Sequence, residues 1–215
     1  QLGVKLPSDA GLREPLAPDI LDSVKDTSVN FVQSIRDGTV TEEQIDSFLQ
    51  GPFNSLPDSK KQPTLNYLLC KKAWLVSEEG RLEEALRFYE EALEVAGESP
   101  STWALKGAAL LQVEKVDEAL QAFQRAYSLR DNFGPQRQGY LKDLFAGWSA
   151  AALLMGLFGI LEHHIGEAQK GANEYIDLLQ KAKNEDMDAF VVSLAIERLV
   201  TDEVKDALEE LELMV

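Results

Sequence analysis

The chain has 215 residues, 45% hydrophobic and 27% charged, with a net charge of −16 from 37 acidic and 21 basic side chains. That balance supports a folded globular or helical-array protein and excludes wholesale disorder. Its acidity disfavours nucleic acid as a partner, since phosphate backbones are repelled and no Lys/Arg patch interleaved with aromatics offsets this.

In chain order, residues 1–17 carry scattered Leu and Pro without helical period and are expected to form an extended arm. Residues 18–63 are expected to be a helical segment and linker. Pro18 suits a first helical turn, and Leu21, Val24, Phe31 and Ile35 share a face of a helix that Gly38 ends. Thr41 with Gln44 spells a capping box for a short helix carrying Ile45, Phe48 and Leu49, closed by Gly51. The stretch 51–63, GPFNSLPDSKKQP, has the composition of a linker.

From residue 64 to 215 the pattern becomes a helical repeat. At an offset of 34 residues, Glu84-Ala85-Leu86 matches Glu118-Ala119-Leu120, Tyr89 matches Phe123, Ala92 matches Ala126, and Ala73 matches Gly107. Small residues let paired helices approach closely, and the aromatic fills the space between hairpins. Ser99-Pro100 supplies an N-cap and first-turn proline for the next helix. The stretch 100–133, with Trp103, Gly107, Leu110, Ala119, Phe123 and Ala126, resembles the tetratricopeptide repeat. The stretch 66–99 follows with Ala85, Tyr89 and Ala92, although Leu69 stands where that family usually has Trp. Degenerate hairpins are expected over 134–185 and 186–215. The first is marked by Trp148, Ala152 and Met155, then Ala172, Ile176 and Leu179; the second by Leu194, Ala195, Ala207 and Leu211. The third hairpin carries about eight extra residues, on the order of two helical turns. The expected fold is thus all-α: an antiparallel helix-hairpin array with an N-terminal helical extension.

Residues 144–161 contain no charge, a length that just reaches the spanning range. Their Ala, Gly and Ser content and lack of basic flanks fit a helix buried in an array better, so a membrane is disfavoured as a partner. Gly156 and Gly159 there serve close helix packing rather than a phosphate cradle.

Chemistry-bearing residues are sparse, and no catalytic residue, metal site or cofactor is expected. The adjacent His163 and His164 diverge by about 100° on a helix, and His163 with Glu167 makes two ligands without a third. Cys70 is the only cysteine, so no intrachain disulfide forms, which fits a cytoplasmic protein. A chain opening on Gln1 leaves room for a removed signal or anchor.

The resemblance implies that the inner helix of each hairpin lines a concave groove. Its ligand-facing positions map to Tyr67, Cys70, Trp74, Ser77 and Glu78; then Ser101, Ala104, Ala108, Leu111 and Gln112; then Ala146, Ser149, Leu153, Gly156 and Leu157. Family members that clamp acidic tails need Lys, Arg and Asn at such positions. Here Cys70, Trp74, Ala104 and Ala108 stand there instead. The resemblance therefore implies a protein-interaction module (adaptor, scaffold or chaperone-like) whose groove holds an apolar peptide or helix from a protein partner. The chain's own N-terminal segment, or a homodimer burying the same face, is an alternative occupant. A membrane-associated helical assembly factor is the competing function.

Overall fold

The computed structural model describes residues 28–161 and 164–187, and every regular element among them is helical. Helix α1 (Val29–Arg36) turns Phe31, Val32 and Ile35 inward and ends before Gly38, whose φ is +70°. Thr41 then begins α2 (Glu42–Gln50) through the expected capping box: its hydroxyl accepts from the Gln44 amide, and the Gln44 side chain accepts from the Thr41 amide. Phe31 and Phe48 stack with centroids 4.4 Å apart. With Val40, Ile45, Leu56 and Leu68 they form a core at the N-terminal end of the array. Leu21, Val24 and the arm 1–17 lie outside the described residues.

The segment 51–63 departs from the linker expected. After a 3-10 turn (Pro52–Ser55), helix α3 runs Asp58–Glu78 and includes Pro63, so the boundary expected at residue 64 falls inside it. A helical proline forfeits a hydrogen bond and crowds the carbonyl four residues back. Pro63 does so on the exposed second turn, before the packed stretch begins. Burial of Thr64, Leu68, Leu69, Ala73 and Val76 further along outweighs that local loss.

Three hairpins follow from here. Helix α3 pairs with α4 (Leu82–Val95), α5 (Pro100–Gln112) with α6 (Val116–Ser128), and α7 (Arg137–Leu161) with α8 (Ile165–Asn184). Ser99 caps α5, its hydroxyl accepting from the Thr102 amide. Short connections make neighbours antiparallel, so α3, α5 and α7 run parallel in one layer and α4, α6 and α8 in the other. The inner helices touch one another along the array, whereas the outer ones approach far less closely. That asymmetry makes the α3–α5–α7 side concave.

The repeated small-aromatic-small triads are the mortar of the second core. Ala85, Tyr89, Ala92, Ala119 and Ala126 are wholly buried, and Phe123 is 1% exposed. The extra residues of the third hairpin lengthen α7 and α8 rather than looping out. No helix among the described residues is long and apolar enough to cross a membrane. The uncharged stretch of α7 is instead an interior helix, with residues 144–152 all buried. Gly156 and Gly159 face α8: a methyl added at Gly159 would meet the Ala168 backbone, and one at Gly171 would meet that of Gly156.

On α8 the register expected from sequence is off by one residue. Ala172 and Ile176 are exposed and Leu179 only half-buried, while Gly171 and Leu178 are buried and Tyr175 packs on the core. Gly171, Tyr175 and Leu178 keep the spacing of Ala119, Phe123 and Ala126, so they are the triad here. The hairpin expected beyond 186, with Leu194, Ala195, Ala207 and Leu211, lies outside the described residues.

Candidate functional site: an uncharged concave face

Helices α3 and α5 form the part of the concave face that water reaches. Tyr67, Trp74, Ser101, Ala104, Ala108 and Gln112 are half-buried there, and Glu78 is exposed at the end of α3. Trp74 on α3 is the large apolar element of this face, and α5 contributes the small Ala104 and Ala108. The Lys71 ammonium lies 4.3 Å from the Trp74 ring centroid, a cation–π contact on a lysine that is 6% exposed. Tyr67 leans towards the N-terminal core and packs against it.

Three expected groove residues of α3 and α5 are turned inward. Leu111 is 3% exposed and belongs to the core between hairpins. Ser77 is buried, its hydroxyl donating to the Trp74 carbonyl at 2.7 Å. Cys70 points at α5, with Sγ 3.3 Å from the Thr102 hydroxyl. Thr102 also accepts from the Asn66 side chain, which donates as well to the Ala92 carbonyl at 2.9 Å. Burial pushes the Cys70 thiol up to about 12, despite the opposing effect of its hydrogen bond with Thr102. Such a thiol is neutral and inert at neutral pH.

On α7 the face closes. Ala146 and Ser149 are fully buried, Ser149 donating to the Phe145 carbonyl at 2.6 Å, and only Leu153 and Gly156 are half-buried. The Leu157 side chain lies outside those described. The open floor thus spans α3 and α5 rather than three helices.

Two lysines of the inner helices are held by acids of neighbouring helices. Lys72 binds Asp46 on α2, with Nζ 2.7 and 2.9 Å from the two carboxylate oxygens, and Lys106 binds Glu90 at 3.1 Å. His164 is the N-cap of α8 and exposed, and His163 lies outside the described residues. Among the described residues no three His, Cys, Asp or Glu side chains gather as a metal site.

The geometry of α3 and α4 agrees with an independent comparison: residues 67–98 match the family model described as tetratricopeptide repeat. Over those residues the chain is similar to a tetratricopeptide repeat. A tetratricopeptide repeat and J domain-containing co-chaperone, DNJ1 of Cryptococcus neoformans, is 28% identical over 110 residues, which is 51% of this chain. The match spans 21% of that relative's length, so the chain corresponds to a small part of it. No solved structure matches the chain. Sequence reasoning placed Glu78 among the ligand-facing positions but not its exposed neighbour Glu79 at the same helix end. Paired glutamates at a helix end look like any solvated face until the fold places them beside a groove.

Proposed function

We propose that this tetratricopeptide module works as an adaptor or chaperone-like holder, binding an apolar peptide or helix of a partner protein on the α3–α5 floor rather than catalysing a reaction. The observation that carries this is the half-exposed, uncharged surface of Trp74, Ala104 and Ala108 on two touching inner helices. An apolar concavity gains most when another apolar surface replaces water. The co-chaperone relative supports a chaperone-like role.

The test uses partners first identified by affinity capture and mass spectrometry, then challenged with Trp74→Ala combined with Ala108→Glu. Both sites are half-buried, so the fold should persist. Leu111→Glu is unsuitable, because a charge at a position 3% exposed would unfold the array. Loss of capture by the folded double variant supports the floor as the binding surface. Undiminished capture, with circular dichroism and melting unchanged, refutes it.

A further inference from the structure

The parallel helices α3 and α5 deliver their C-terminal ends to the same rim of the floor. A helix C-terminus carries partial negative charge from its unpaired carbonyls, which a basic residue in the last turn ordinarily offsets. Neither α3 nor α5 has a basic residue there. The rim instead carries Glu78 and Glu79 at the end of α3 and Glu114 just past α5, all exposed. Arg81 is already shared among Glu42, Glu79 and Glu84, and Lys115 follows Glu114 in the chain. The positive starts of the outer helices are met by acids of their own, Glu83 and Glu84 on α4 and Asp117 and Glu118 on α6. Lys71 is 6% exposed, is engaged over the Trp74 ring, and lies about two helical turns before Glu78 on α3.

An uncharged floor therefore runs beside a negative edge, in a chain whose net charge is −16. Resting on the binding surface proposed above, we infer that the occupant is a segment of another protein with two features. It is apolar where it meets Trp74, Ala104 and Ala108, and it carries Lys or Arg along the edge that lies over the ends of α3 and α5. Charge complementarity of this kind sets partner choice and association rate more than raw affinity. The same field opposes a second copy of this acidic chain as the occupant.

Two labelled peptides with one shared Leu/Ala face test this, the first edged with lysines and the second with glutamates. Each is titrated with the full chain by fluorescence anisotropy, at low and high salt. The lysine-edged peptide is expected to bind about ten-fold tighter at low salt, with the margin shrinking as salt screens the edge. Glu78→Gln with Glu79→Gln should remove much of that margin. Filling the floor with Ala108→Trp should abolish binding of both peptides; if that variant misfolds by circular dichroism, Ala104→Gln should weaken both. Equal affinity for the two peptides overturns the inferred charge preference and leaves the floor as the binding surface. Lysine-peptide binding that survives a filled floor also overturns it, because it then reports net charge alone. Binding of neither peptide removes the floor as the site and this inference with it. Self-association that the lysine peptide cannot displace would place a second copy there and overturn it equally.

Discussion

Phe123 occupies the space that a side chain at Gly147 would need: a methyl there would come within 2.7 Å of the ring's Cζ. The same Cε1–Cζ part of the ring also meets Gly107, where a methyl would lie 2.8 Å from Cε1. One aromatic on α6 is thus gripped between glycines on α5 and α7, which joins the second hairpin to the third. Gly→Ala within a helix ordinarily adds about 1 kcal/mol of stability. Gly147→Ala is expected to reverse that sign and cost about 1–3 kcal/mol through overpacking. Combining it with Phe123→Leu should recover part of the loss, because the two residues share one space. Urea denaturation of both single variants and the double decides it; strictly additive losses would show that the ring and the glycine are uncoupled.

The register of α8 is open to a paired substitution. Leu178 is wholly buried and Ile176 is 55% exposed. Leu178→Ala is expected to cost about 2–5 kcal/mol. Ile176→Ser should stay within about 0.5 kcal/mol. Thermal melts that rank the two the other way round would restore the register with Ala172, Ile176 and Leu179 inward.

Glu185 ties the far end of the array together. Its Oε1 accepts from Arg130 Nε at 3.2 Å and from Arg137 Nη2 at 3.0 Å, at a carboxylate side chain only 11% exposed. These bonds bind the 3-10 segment (Arg130–Gln136) and the start of α7 to the end of α8. Glu185→Ala should cost about 1–3 kcal/mol, since two partly shielded guanidinium groups lose their acceptor. Hydrogen exchange should quicken first around residues 130–140. Unchanged exchange there would mean that the bridge holds nothing in place.

Alkaline pH should loosen the first two hairpins. The Cys70 thiol is raised by burial from 9.0 to about 12. Burial, with nearby Cys70 adding, holds the Tyr89 phenol well above 10.0. The unfolded chain releases these protons at their ordinary values and the folded chain does not. Stability is therefore complete below about pH 9 and declines as pH rises through the window up to about 12. Cys70→Ala should make that decline shallower, read from urea midpoints on either side of the window. A thiol reagent should label Cys70 in the wild-type chain only after unfolding. Rapid labelling of the native protein would contradict its burial.

The two central hairpins were legible because their spacing repeats. Ala85, Tyr89 and Ala92 recur as Ala119, Phe123 and Ala126, and every one of them is buried. The third hairpin blurred because longer helices displace the repeat and because its triad begins with Gly171 instead of alanine. Ile176 then drew the eye as the apolar residue while Tyr175 held the place of Phe123. Pro63 hid the start of α3, since proline reads as a break unless later packing is known to outweigh it. The floor was only partly legible, for inner-helix positions do not reveal which way a side chain turns. Cys70 turns to Thr102, and Leu111 turns into the core.

The closure of the face at Ala146 and Ser149 makes the floor a gauge of length. Two neighbouring helices at about 10 Å each span about 20 Å. That accommodates about six residues of extended chain. It accommodates about thirteen residues of helix. On the binding surface proposed above, a longer apolar segment gains nothing further beyond α5, so occupants should be told apart by how compactly their apolar residues are grouped and not by how many they have.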